Sequence, residues 1–244
     1  MGGRPLPLLG TFHEFSVAVD DVRAAVEFYE RLGFSQATTT DTYSHPYGVL
    51  TDGRLFIGLH QRAGPSPVLT FVRRGVAGSV PALAAAGIEL SVCRTGEEVF
   101  NEIGFSDPCG QAVAVLEART YSPAARDQRE ASLCGDFAEV SLPVADFAGA
   151  QAFWEALGFV AAPEEAAPYV HLPLTSDYLD VSFHRPALCA RPLLVFRDTA
   201  MAARVARLRE RGTVFAATPR SLPPAAALLE GPDATPLLLL PEPV

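Results

Sequence analysis

The sequence predicts an α+β protein made of two successive domains, each built from two βαβββ modules. Two observations predict it: the chain is written twice, and within each copy two-residue and helical periods alternate in the same order. Internal repeats decide the fold class first, because one repeat unit sets the architecture of the whole. Phe12–Phe34 reads FHEFSVAVDDVRAAVEFYERLGF and Phe137–Phe159 reads FAEVSLPVADFAGAQAFWEALGF. Glu14 meets Glu139, Ser16 meets Ser141, Asp21 meets Asp146, and Leu32-Gly33-Phe34 meets Leu157-Gly158-Phe159. After a slip of one residue the match continues. Leu50-Thr51-Asp52 and Leu174-Thr175-Ser176 each precede a histidine, His60 and His184. This is a duplication.

Within the first copy, residues 12–19 alternate apolar and polar side chains, the mark of a strand with one face buried. Asp20-Asp21 caps a stretch carrying Val22, Val26, Tyr29 and Leu32 at helical spacing, and Gly33 ends it. Residues 45–51 and 54–61 flank Asp52-Gly53, a hairpin signal. Residues 67–73 read as a strand, 76–86 as an Ala-rich helix ended by Gly87, and 88–93, 99–105 and 111–117 as strands. The second copy repeats this, with helices near 147–157 and 199–211 and a Pro-rich stretch from Pro219 to Pro224. The expected division is 1–118, a linker at 119–135 carrying the charged run Arg126–Glu130, and 136–244. Each half, at about 110 residues, is long enough to bury a core of its own.

Composition narrows the chemistry. A net charge of -9 with no basic stripe argues against nucleic acid and anionic membranes as partners. Every basic residue is Arg, so lysine Schiff-base and lysine general-base mechanisms are excluded. The four cysteines, Cys93, Cys109, Cys134 and Cys189, have no metal or redox spacing and read as buried thiols of a cytoplasmic protein. No apolar run approaches the roughly 18 residues of a membrane span. The expected partner is a small organic molecule, and the expected state monomer or homodimer.

A strand ending Val19-Asp20-Asp21-Val22 and a helix ending Phe28-Tyr29 and Leu32-Gly33-Phe34 form the first part of a pattern. A hairpin ending Gly58-Leu59-His60, then Phe105, Asp107-Pro108 and Gly110 before the last strand, complete it. This pattern resembles the vicinal oxygen chelate superfamily of glyoxalases, bleomycin-resistance proteins and extradiol dioxygenases, as a tandem two-domain member. The resemblance implies that each domain forms an open β-cup around a small molecule. In the metal-dependent members four inward residues grip a divalent ion. Carried onto this chain, those positions are Glu14, Gly58, Pro67 and Ala114 in the first cup, and Glu139, Ser182, Arg191 and Leu238 in the second. Gly, Pro, Ala and Leu side chains offer no donor atom. No metal and no other cofactor is therefore expected, with a weak divalent site shifted to Glu14/His60 or Glu139/His184 left open.

Strand parity turns Glu14 and Ser16 into the first cup, with Phe56, Gly58 and His60 on the matching face of the hairpin strand. The same parity turns Glu139, Ser141, Asp180, Ser182 and His184 into the second. A carboxylate and an imidazole in a partly apolar pocket make an acid–base pair, so Glu14, His60, Glu139 and His184 are the candidate catalytic residues. His45 and Tyr47, matched by Tyr169 and His171, lie before the hairpin turn at the cup rim. With Ser16, Phe56, Ser141, Asp180 and Ser182 they are candidate ligand contacts. His13 faces the helix side by parity. Two functions follow: a metal-independent lyase, isomerase or cyclase acting on an aromatic or polyketide-like metabolite, or a resistance-type protein that sequesters its ligand.

Overall fold

A computed structural model describes residues 8–39, 43–118 and 132–242. The first half runs β1 (Thr11–Ala18), α1 (Val22–Arg31), β2 (Ser35–Gln36), β3 (Tyr47–Thr51) and β4 (Phe56–His60). It continues with β5 (Val68–Arg73), α2 (Val76–Ala85), β6 (Val92–Arg94), β7 (Glu102–Ser106) and β8 (Ala112–Glu117). These strands form one sheet in the order β2-β3-β4-β1-β5-β8-β7-β6. Within each module the first and last strands pair in parallel, β1 with β4 and β5 with β8, and the two modules join where β1 meets β5 antiparallel.

The second half repeats the plan with β9 (Asp136–Pro143), α3 (Phe147–Ala156), β10 (Val160–Ala161), β11 (His171–Thr175) and β12 (Asp180–His184). Then follow β13 (Leu193–Asp198), α4 (Met201–Glu210), β14 (Ala227–Glu230) and β15 (Pro236–Pro241). Their order, β10-β11-β12-β9-β13-β15-β14, lacks the counterpart of β6, where only a single bridge joins Ala216 to Leu228. This is the tandem α+β fold that the repeated periods predict. The inferred linker falls largely on 119–131, outside the described residues.

Local chemistry explains the helix ends. Asp21 and Asp146 sit in extended conformation and accept backbone N–H groups of the first turns of α1 and α3. Both helices end before a glycine of positive φ, Gly33 at 88° and Gly158 at 99°. Sequence periodicity starts β7 at residue 99, but the strand begins at Glu102, and the strand expected over 88–93 is limited to the three residues of β6. A shared irregularity resets the alternation near each first strand: pairing skips His13 on β1 and Ala138 on β9. This bulge frees Phe12 to pack edge-on to Phe71 at 5.4 Å while Glu14 keeps the cup face.

The apolar residues of the two halves do not form two cores. One buried cluster takes in Phe15, Tyr29, Ile57 and Phe105 from the first half and Trp154, Phe183, Phe196 and Leu237 from the second. Across the seam the halves exchange equivalent hydrogen bonds. Tyr29 on α1 donates to Asp233 in the β14–β15 turn at 3.2 Å, and Trp154 on α3 donates to Asp107 in the β7–β8 turn at 3.1 Å. Helices that would otherwise face water are thus buried against the sister half.

The β14–β15 turn holds Ala234 at φ 61°, where the matching turn has Gly110 at φ 90°. An L residue there costs roughly 1–2 kcal/mol, partly offset by the greater unfolded-state freedom of glycine. Ala234→Gly is expected to raise unfolding free energy by up to about 1 kcal/mol, read as a higher denaturant midpoint with unchanged slope.

Candidate functional site

In the first half β1 lies between β4 and β5, so Glu14, Ser16, Gly58, His60 and Thr70 share one concave face. Glu14 is 1% exposed, and three side chains converge on its carboxylate. Its Oε1 accepts from Ser16 Oγ at 2.7 Å and lies 2.9 Å from His60 Nε2; its Oε2 accepts from Tyr47 OH at 2.5 Å. His60 Nδ1 is 2.9 Å from His45 Nε2. Tyr47 stacks tilted over His60 with centroids 4.6 Å apart, and Tyr43 meets the same ring edge-on at 4.9 Å.

Counting protons fixes the directions in this network. Burial pushes the Glu14 carboxyl up, but the bonds from His60 and Tyr47 and the charge of nearby His13 outweigh it, and its pKa lies below the ordinary value. An ionised carboxylate only accepts, so Ser16 spends its one proton on Glu14 and Thr70 must donate to Ser16 across their 2.7 Å contact. His60 likewise donates from Nε2, and its Nδ1 shares a hydrogen bond with His45 Nε2. Glu14, His60 and His45 form a chain running from the buried carboxylate to a half-buried rim residue. Burial, His60 and Arg62 all hold the His45 imidazole below its ordinary pKa.

Gly58 makes this arrangement possible. A Cβ at that position would overlap the Glu14 carboxylate. The position that lacks a donor atom in the sequence is the space into which Glu14 folds.

A cavity of about 220 Å³ opens beside the network. Ser16, Thr70, His60 and Glu102 reach it, Val68, Val92 and Leu116 give it its apolar side, and Tyr43 and Arg62 lie at its rim. Ile103, Phe105 and Val113 border it through backbone only, their side chains packing in the core behind the sheet. Ala112 and Ala114 leave the room. Of the predicted ligand contacts, Ser16 lines the cavity, His45 and Tyr47 act on its polar wall through His60 and Glu14, and Phe56 does not line it. Thr70, Tyr43 and Arg62 were not singled out from the sequence. Thr70 was findable: it is the one polar residue inside the apolar run Val68-Leu69-Thr70-Phe71-Val72.

The second cup is built differently. Glu139 and His184, expected as a pair, are separated by two serines. Ser182 Oγ is 2.9 Å from Glu139 Oε1 and 2.8 Å from Ser141 Oγ, Ser141 Oγ is 2.8 Å from His184 Nδ1, and His184 Nε2 donates to the Cys189 carbonyl at 2.9 Å. Because that carbonyl can only accept, the chain has two consistent forms: neutral carboxyl with neutral imidazole, or carboxylate with imidazolium. Burial raises the Glu139 pKa and lowers that of His184 to about 4, and both shifts favour the neutral form.

The space above this chain is filled. Thr70 is replaced by Val195 and Ala114 by Leu238. Together with Leu193, Leu240, Tyr169 and Leu222 these form a second apolar cluster. His171 turns to the Tyr169 carbonyl at 2.9 Å. The Tyr169 hydroxyl is buried near Ser141 and Ser182 without a hydrogen bond of good geometry to either. Asp180, expected in the cup, is exposed and accepts from Thr175 at 2.6 Å; it belongs to the hairpin end. The cysteines also divide: Cys134 is buried, with its thiol pushed up to about 12 by burial, whereas Cys93 and Cys109 are exposed, contrary to the reading of all four as buried.

Glu139→Gln tests the neutral form. A glutamine amide can donate to Ser182 as a protonated carboxyl does. A buried acid with a raised pKa favours folding less as pH climbs above its unfolded value of 4.5, so the variant should match the wild type near pH 4.5 and equal or exceed it at pH 7. Thermal unfolding at both pH values reads this out; a loss at pH 7 alone would show that the carboxylate is the native species.

With this geometry established, comparison with known proteins is informative. Residues 11–92 match the family model described as the Glyoxalase/Bleomycin resistance protein/Dioxygenase superfamily. The second half repeats that topology. The fold is that of the vicinal oxygen chelate superfamily, in tandem. No curated protein matches the sequence. Among solved structures, homoprotocatechuate 2,3-dioxygenase from Arthrobacter globiformis is similar with a TM-score of 0.63 at 13% identity, over 99% of this chain and 82% of that one. The 2,3-dioxygenase LapB from a Pseudomonas species has a TM-score of 0.62 at 14% identity, over 97% and 93%. A 4-hydroxymandelate synthase variant from Streptomyces coelicolor has a TM-score of 0.55 at 16% identity, over 86% and 77%. At these identities the likeness is one of fold.

Metal-dependent members of this superfamily raise the question of whether the cups suit a divalent ion. They do not fit one. In the first cup Gly58 and Ala114 supply no donor. The β5 residues on the Glu14 face are Val68 and Thr70, not Pro67, which precedes the strand. Glu14 and His60 bond to each other instead of converging on a common point, and Glu14 already accepts from three protein groups. In the second cup Leu238 and Val195 occupy the centre. Among the described residues no three His, Cys, Asp or Glu side chains are placed to hold an ion. No described helix is long and apolar enough to cross a membrane.

Proposed function

We propose that the N-terminal cup binds a small, largely apolar organic molecule and moves a proton on it without a metal, in a lyase-, isomerase- or cyclase-type reaction. An aromatic or polyketide-like metabolite is the substrate class. The observation that carries this reading is the Glu14–His60–His45 chain beside a cavity of mixed polar and apolar lining. An ionised buried carboxylate fixes the tautomer of His60 and stabilises the imidazolium that forms when the histidine pair takes a proton. Glu14 is an orienting anion, since it is buried behind Ser16 and His60. Ser16, Thr70, His60 and Tyr43 are the groups around Glu14 that reach the cavity.

The second cup serves as scaffold, its cavity filled by leucine and valine. One feature favours the alternative, a ligand-sequestering protein of the bleomycin-resistance type: both ring nitrogens of His60 are occupied by protein partners. Chemistry therefore requires His45 to yield its bond to the ligand.

The test is solvent exchange. Protein freed of metal by chelator is incubated in D2O with aromatic and polyketide-like compounds bearing an enolisable carbonyl. Deuterium entering the compound with wild type, and falling roughly 10²–10⁴-fold with His60→Gln, supports proton transfer. A compound that is bound tightly and recovered unlabelled supports sequestration.

A further inference from the structure

The two halves meet at a cleft of about 390 Å³ on the opposite side of the first-half sheet from the cup, lined by α1 and by the segment after α4. That is larger than the cup cavity and within the range of small-molecule sites. Its second-half wall is the segment that leads towards the missing counterpart of β6, which makes one bridge at Ala216 and leaves Val214 85% exposed. Phe28 and Leu32 come from one side and Val214 and Phe215 from the other. The Arg209 guanidinium holds the Phe215 ring, 5.1 Å from its centroid.

Two cations enter the same cleft, Arg31 from the last turn of α1 and Arg211 from the cap of α4. Neither has a carboxylate partner among the described residues. Glu230, the acid on the cleft wall, is already paired with Arg191 at 2.8 Å. Two unpaired guanidinium groups from different halves, bordering exposed apolar surface, match a molecule with an anionic end and an apolar body. We propose that this cleft is a second binding site, separate from the cup, for a small organic carboxylate. Its carboxylate would sit between Arg31 and Arg211, and its apolar part against Phe28, Val214 and Phe215. Such a ligand bridges the halves without touching the His60 network.

Octanoate is a suitable probe, with 1-octanol as the uncharged control, measured by calorimetry on the full chain. Wild type is expected to bind octanoate more tightly than 1-octanol. Arg31→Ala and Arg211→Ala, both surface changes, should each weaken octanoate by about tenfold or more and leave 1-octanol unchanged. His60→Gln should not alter octanoate binding. The proposal is overturned if the double arginine variant binds octanoate like wild type, if wild type does not prefer the anion, or if His60→Gln removes binding and so places octanoate in the cup.

Discussion

Glu14→Gln is expected to be strongly damaging for so conservative a substitution. It keeps the shape of the side chain but replaces an acceptor-only group with one that carries an N–H₂. That amide would face at least one of the donors now aimed at Glu14, from Ser16, Tyr47 and His60. A mispaired buried donor costs about 1–3 kcal/mol, and the remaining bonds lose their charge assistance, so a stability loss on the order of 2–3 kcal/mol at pH 7 is expected. The sign of the pH dependence follows from the lowered carboxyl pKa. The stability that Glu14 contributes is present above its unfolded value of 4.5 and disappears as pH falls through the lower folded value. The gap between wild type and variant should therefore narrow in acid. Proton transfer should fall at least about 100-fold, because His60 loses the anion that orients it. Denaturant unfolding at pH 7 and pH 4 with the deuterium assay checks all three effects; a variant of wild-type stability at pH 7 would refute the ionised, triply bonded carboxylate.

Gly58→Ala is expected to do comparable harm by a different route. The added methyl has nowhere to go: β4 is paired on both edges, with β1 and β3, and the methyl overlaps the Glu14 carboxylate. Either the strand shifts or the carboxylate leaves its three donors. Overpacking alone costs about 1–3 kcal/mol, and expelling Glu14 adds unsatisfied donors to that. Expected outcomes are a loss of about 3 kcal/mol or more in unfolding free energy and loss of proton transfer. An alanine variant with intact stability would mean that the Glu14 side chain does not lie over β4.

These two residues show what the sequence reveals and where it stops. The duplication, the capped helices and the parity that turns Glu14 and His60 to one face are local patterns, and they are legible. What Gly58 does is not. In the sequence it reads only as a missing ligand, because the overlap with Glu14 depends on how β1 and β4 are paired. The fate of the second cup was half legible. Val195 for Thr70 and Leu238 for Ala114 are visible size increases, yet their meaning appears only when the pairing of β13 with β9 and β15 sets them over Glu139. The serine chain that separates Glu139 from His184 is likewise a matter of pairing, since Ser141 and Ser182 are register partners. Asp180 shows the limit of parity: alternation assigned it a face, but its place at the hairpin end put it in water.

The seam between the halves also determines what light can report about this protein. Trp154 is the chain's sole tryptophan, fully buried in α3, with its indole N–H on Asp107 of the other half. Its emission therefore senses whether the two halves are docked. A shift on denaturation would mark parting of the halves.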